Sequence, residues 1–151
     1  GIPPLVAHFF VFYYAVLSAI TPPVALAGYA AAAISGTDPL KTAMTSFKFG
    51  LAAFIVPFMF FYSPELLMQG SWGGILRVVI TASLGIYLLA AAVQAWFLNG
   101  RVNLIQRALL LVAALSMIAG GWMTDLAGLG IGALVFAWQA AALKTKPKTS
   151  A

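Results

Sequence analysis

The strongest constraint on this chain is a series of apolar stretches long enough to cross a lipid bilayer. They fall at about Leu5–Ile34, Phe47–Tyr62, Ile75–Leu98, Leu104–Gly120 and Leu126–Ala142. A bilayer requires roughly 20 residues per helix, so the first stretch is long for one span and the second slightly short. Only 7% of the residues are charged, against about a quarter in soluble domains, so lipid must be the solvent for much of the surface. Inside hydrocarbon every backbone polar group needs an internal partner, which favours helices. The expected fold is therefore all-α: a polytopic membrane protein with about five transmembrane segments, the first a broken, discontinuous helix.

Turn signals separate these stretches: "SGTDP" at Ser35–Pro39, "YSPE" at Tyr62–Glu65, "QGSWGG" at Gln69–Gly74, "NGRVN" at Asn99–Asn103 and "GGWMTD" at Gly120–Asp125. With this number of passes, Lys41, Lys48, Arg101, Arg107, Lys144, Lys146 and Lys148 share one side. The positive-inside bias makes that side cytoplasmic. Only Arg77 lies near the other face, where its stem can snorkel to the headgroups. The N-terminus of this stretch is then periplasmic and the C-terminus cytoplasmic. Trp72 and Trp122 fall near the outer boundary and Trp96 near the inner one, as interfacial aromatics should. Three regions are expected: 1–68, ending a transport domain; 69–143, three C-terminal helices; and 144–151, a basic cytoplasmic tail. Gly1 opens directly into apolar sequence with neither a methionine nor a basic leader, which reads as part of a longer polypeptide.

The residue inventory excludes much chemistry. Without cysteine there are no disulfides or thiolate metal sites, and one histidine with three acids leaves no enzyme constellation. The net charge of +5 is spread in the manner of a membrane-orientation signal, which argues against nucleic acid as a partner. His8, beside Phe9, Phe10 and Phe12, reads as a packing residue near the outer interface, with proton coupling the sharper alternative. Pro57 in "IVPFMF" reads as a kink, with a second broken-helix site as the alternative. Asp38 and Pro39 make a helix cap before Lys41, Thr42, Thr45 and Lys48, an interfacial amphipathic turn. Gly128 and Gly132 form a G-x-x-x-G packing signal, and Glu65 and Asp125 fall in outer loops, read as solvated with docking of a binding protein as the alternative.

The stretch "SAITPPVALAGYAAAAISG" carries the most information. Pro22 cannot donate to the carbonyl of Ser18, nor Pro23 to that of Ala19. Each interior proline costs a helix about 3 kcal/mol. A freed carbonyl in hydrocarbon adds several more unless something bonds it. Two half-helices are the cheaper solution: one ending near Ser18, another starting with Thr21 as N-cap and Pro22 at its first position. The hydroxyls of Ser18 and Thr21 and the carbonyls of Ser18, Ala19 and Ile20 are hard oxygen ligands suited to sodium. The N–H groups around Val24, Ala25 and Leu26 begin the second half-helix, whose positive dipole end suits a carboxylate. Such breaks build mid-membrane ion and substrate sites in secondary transporters. The small residues Ala25, Ala27, Gly28 and Ala30–Ala33 permit close helix approach.

The run "HFFVFYYAVLSAITPPVALAGYAAAAISGTDPLKTAMTSFKFGLAAFIVPFMFFY", His8 to Tyr62, closely resembles the large membrane subunit of tripartite ATP-independent periplasmic (TRAP) transporters. It is most similar to the TAXI-type branch, in which small and large membrane subunits are often fused. The later "RALLLVAALSMIAGG" and "TDLAGLG" resemble the helices that end fused TAXI permeases. The resemblance implies an elevator-type secondary importer in the bacterial inner membrane. It implies a periplasmic TAXI-type substrate-binding protein, a sodium ion as coupling ion, no other cofactor, and a small organic anion as substrate. It also implies partnership with a small membrane subunit and the remaining part of the permease. In that family the "TPP" loop lies between two half-helices near a cation site, so Ser18, Thr21, Pro22 and Pro23 are the residues that carry over. Other large subunits often read TPPVG followed by an asparagine; Ala25 and Ala27 stand here instead.

The expected function is thus part of a permease importing dicarboxylate or amino-acid-like anions, the alternative being a non-transporting membrane scaffold or anchor. The topology is directly testable, because the chain has no cysteine to give background. A cysteine at Ser71 should react with an impermeant thiol reagent in intact cells, and one at Asn103 only after permeabilisation. The reverse pattern would overturn the orientation.

Overall fold

A computed structural model describes residues 1–98 and 100–145. Helix α1 spans Pro4–Leu17, α2 Leu26–Ser35, α3 Pro39–Gly50, α4 Val56–Tyr62 and α5 Trp72–Gln94. A two-stranded hairpin follows (β1 Trp96–Phe97, β2 Gly100–Arg101), then α6 Leu104–Ile118 and α7 Trp122–Thr145. The polytopic all-α class is what the apolar runs required. Among the described residues, three helical stretches are long and apolar enough to cross a membrane: Pro39–Tyr62, Trp72–Gln94 and Trp122–Ala142. Pro4–Ile20, Leu26–Ser35 and Leu104–Ile118 are shorter apolar helices. The expected tail beyond residue 145 lies outside the described residues.

The second span starts at Pro39 rather than Phe47, which removes its apparent shortness. The cause is local: the Asp38 carboxylate accepts the Lys41 N–H at 2.7 Å and Pro39 occupies the first turn, so the helix is capped ahead of its apolar run. The span continues through a 3-10 stretch at Leu51–Ile55 into α4.

The chain divides into two compact units, Gly1–Val79 and Ile80–Ala151, with the division inside α5. In the first unit α2 and α3 pack through small residues. A Cβ added at Gly28 would lie 2.8 Å from the Ala43 Cα, and Ala32 and Ala43 are buried beside it. Gly28 and Ala32 thus form a small-xxx-small face. Helices α1 and α4 meet through edge-to-face aromatic pairs, Phe10 with Phe58 at 5.3 Å and Phe9 with Phe60 at 6.1 Å.

The second unit packs α6 against α7 around Leu110, Met117 and Val135. The G-x-x-x-G signal has its physical meaning here: a Cβ at Gly128 would fall 2.7 Å from the Ala113 carbonyl oxygen, and one at Gly132 would fall 3.2 Å from Leu88. The "NGRVN" turn is embedded in a hairpin pairing Trp96 with Arg101 and Phe97 with Gly100. Buried amides hold it: Gln106 Nε2 donates to Gln139 Oε1 at 3.1 Å, and Gln139 Nε2 donates to the Phe97 and Arg101 carbonyls at 3.4 and 3.5 Å. Asn103 and Gln106 form a reciprocal capping box at the start of α6. Asp125 is not in a solvated loop, as the sequence suggested. It lies in the first turn of α7 and is 4% exposed, a position favoured by the positive end of the helix dipole.

The contact at Gly28 gives a stability prediction. Gly28→Ala must push α3 back, because the obstacle is backbone, and overpacking of this kind costs about 1–3 kcal/mol. Gly73→Ala has nothing within 4 Å of the new methyl and should be neutral. Thermal unfolding of the detergent-purified protein should show a lower midpoint for the first variant alone.

Candidate functional site: an interrupted helix

The first apolar stretch breaks where the prolines demand it. Helix α1 ends at Leu17, a 3-10 turn occupies Ser18–Ile20, and α2 does not begin until Leu26. The start expected at Thr21 and Pro22 is therefore displaced by four residues. Thr21 has extended geometry, the Pro22–Pro23 peptide is cis, and Ala25 rather than Thr21 occupies the N-cap.

The carbonyls around the break fare differently, and proline chemistry explains why. Ser18 loses its four-residue donor to Pro22 but recovers the three-residue one: Thr21 N–H donates to it at 3.1 Å. Ala19 meets Pro22 at three residues and Pro23 at four, so neither helix type can supply it with an N–H. Ile20 loses its three-residue donor to Pro23. The hydroxyls of Ser18 and Thr21 turn their protons backward, to the carbonyls of Ala15 at 2.6 Å and Leu17 at 2.7 Å. Each retains oxygen lone pairs. The break thus gathers hard oxygens at the negative end of α1.

The far side of the break has the opposite character. The first α2 bond runs from Tyr29 N–H to the Ala25 carbonyl at 3.0 Å. The N–H groups of Leu26, Ala27 and Gly28 precede it, and the Ala25 cap supplies no side-chain acceptor. Pro23 and Val24 are exposed, while Ala25 is fully buried. Tyr29 closes the turn by donating its hydroxyl to the Pro23 carbonyl at 3.2 Å, a contact across six residues that no helical period would reveal. Ser46 was also missed: its hydroxyl oxygen lies 3.4 Å from where a Gly28 Cβ would stand, facing the start of α2 from α3.

The surroundings fix the break in place. The Ile20 side chain fills the space over Gly50 that a Cβ there would occupy. Tyr14 donates its hydroxyl to the Phe54 carbonyl at 2.9 Å. The Leu51–Ile55 3-10 stretch therefore lies alongside α1, but it is not a second site of the same kind. Pro57 removes the four-residue donor to Ala53, and Val56 N–H bonds the Ala53 carbonyl instead. Pro57 is a repaired kink. His8, exposed, has Nδ1 2.7 Å from the Pro4 carbonyl oxygen in its own helix. Among the described residues no cluster of His, Asp and Glu is arranged to hold a metal ion.

An interrupted apolar helix with carbonyl oxygens on one side and helix-start N–H groups on the other is the arrangement from which secondary transporters build mid-membrane sites. Residues 1–74 match the family model described as the DctM component of tripartite ATP-independent periplasmic transporters. That match supports the large-component family of TRAP transporters, a family of transporters and not of enzymes. The matched stretch covers just under half of the chain. No curated protein and no solved structure matches the chain.

Ala25 offers a test of the break itself. Its φ of 35° and ψ of 42° are left-handed, which costs a residue with a Cβ roughly 1–2 kcal/mol. Glycine adopts it freely. Ala25→Gly should therefore leave thermal stability near that of the parent, the relieved backbone offsetting the lost methyl. Ala25→Val should lower the melting temperature of the purified protein by several degrees. A Val variant as stable as the parent would rule out the left-handed cap.

Proposed function

We propose that this chain is the C-terminal part of a TAXI-type TRAP permease that imports small organic anions, dicarboxylate or amino-acid-like, by an ion-coupled elevator mechanism. A sodium ion is the coupling ion, bound by oxygens of Ser18, Ala19, Ile20 and Thr21. The substrate carboxylate is received beyond Pro22 and Pro23, where Val24 and Ala25 lead into the positive end of α2. A periplasmic TAXI-type binding protein delivers the substrate. Residues 1–68 complete the transport domain, and 69–143 add the closing helices. The N-terminus of this stretch lies in the periplasm and its C-terminus in the cytoplasm.

One observation carries the reading over that of a passive scaffold. The Ala19 carbonyl faces two prolines, so the chain leaves a strong acceptor in an apolar segment with no N–H in helical reach. A scaffold gains nothing from that cost, whereas a cation site uses it.

In the complete transporter, reconstituted with its binding protein, replacing both Pro22 and Pro23 by alanine should abolish uptake while leaving expression intact. Thr21→Val removes one ligand oxygen and should raise the half-saturating sodium concentration about tenfold, the effect of losing about 1.4 kcal/mol of ion–oxygen coordination. Uptake retained by the double alanine variant would return the prolines to the role of kinks. Equal uptake driven by a pH gradient in sodium-free buffer would overturn the sodium assignment alone.

A further inference from the structure

The hairpin end of the second unit has positive charge without a carboxylate to match it. Arg101 is exposed on β2, and Arg107 donates Nε–H to the Ala92 carbonyl at 2.9 Å. The acids of the whole chain are Asp38, Glu65 and Asp125, and only Asp125 belongs to this unit. It lies on α7 near its other end, about 21 Å along the helix from Gln139 at 1.5 Å per residue. No acidic side chain of this unit is therefore near enough to neutralise Arg101.

Two cavities flank the hairpin. A polar cleft of about 200 Å³ is lined by Arg101, Asn103, Trp138 and the buried Gln139. An apolar groove of about 700 Å³ is lined by Tyr87, Ala90, Trp96, Phe97, Phe136 and Ala140. The hairpin joins them, because Trp96 lines the groove, Arg101 lines the cleft, and the two are direct cross-strand partners. Directly paired residues of an antiparallel ribbon project to the same face. A cation and an indole thus stand beside a slot shaped for hydrocarbon, at one end of helices long enough to span a bilayer.

We propose that this end of the second unit is a binding site for an anionic phospholipid, its phosphodiester on Arg101 in the cleft and one acyl chain in the groove over Phe97. The occupant is a lipid rather than a free anion, because the larger cavity is apolar and opens beside the charge. It is an anionic lipid because the site holds a guanidinium and lacks a carboxylate.

Native mass spectrometry of the complete protein, purified in detergent and supplied with phosphatidylglycerol or phosphatidylcholine, tests this. The protein should retain phosphatidylglycerol in preference to phosphatidylcholine. Arg101→Gln should lower that retention about fivefold, the effect of one basic residue at a membrane surface. Ala140→Phe fills the groove without changing charge and should lower it as well, while Lys41→Gln, on the first unit, should not. Each variant is compared after elution as a monodisperse peak. Equal retention of the two lipids would overturn the site. So would an equal loss with Lys41→Gln, full retention by both Arg101→Gln and Ala140→Phe, or glycerol phosphate displacing the lipid as well as phosphatidylglycerol does.

Discussion

The structure of the first unit follows from a missing hydrogen bond. A helix in lipid must satisfy its own carbonyls, and one proline removes one donor. The chain solves that problem once, at Pro57, by tightening to 3-10 geometry so that Val56 bonds the Ala53 carbonyl. The same shift rescues Ser18 through Thr21. It fails one residue later, because Pro22 and Pro23 together remove both the three-residue and the four-residue donors of Ala19. The difference between a kink and a break is therefore the second proline.

Once the helix breaks, the rest of the unit must hold the ends. Tyr29 fastens the turn to α2, Ile20 settles over Gly50, and Tyr14 ties α1 to the Phe54 carbonyl. Gly28 and Ala32 let α2 lie close against α3, so the short half-helix is supported by backbone proximity rather than by its own length. Ten residues alone would be marginal as an isolated helix. The second unit differs in kind. Its buried amides, Gln106 and Gln139, are bonded to each other and to the hairpin carbonyls. Polar groups so matched stabilise a connection and leave little for a ligand in the core.

The legible parts of this architecture were those with a short-range cause. Apolar runs fixed the fold class, Asp38 and Pro39 marked the start of α3, Gly128 marked a close helix contact, and the proline pair marked the break. The illegible parts depended on partners distant in sequence or on rare backbone geometry. Thr21 and Pro22 have the preferred residue types for a helix start, yet the turn runs on to Ala25, which takes a left-handed conformation that its residue type disfavours. The burial of Asp125 and the bonding of Gln139 under the hairpin come from packing, which periodicity along one strand of sequence does not encode. Phe47 looked like the start of a span because hydropathy reports the apolar core of a helix and not its capped, amphipathic beginning.

The residues at the break also bear on which ion could be coupled there. A proton needs a titratable group, and the segment from Leu17 to Leu26 contains none. His8 lies ten positions before Ser18, about 15 Å along a helix, and its Nδ1 is engaged with the Pro4 carbonyl. What the break does contain is oxygen: two hydroxyls whose protons point away, and the Ala19 carbonyl that the two prolines leave without a helical donor. Hard, uncharged oxygens at the negative end of a helix match a small, hard cation, and they do so at any pH. The proposed sodium coupling therefore rests on the same fact as the break. The second proline that forbids helix continuity also leaves Ala19 with an acceptor that a cation can use.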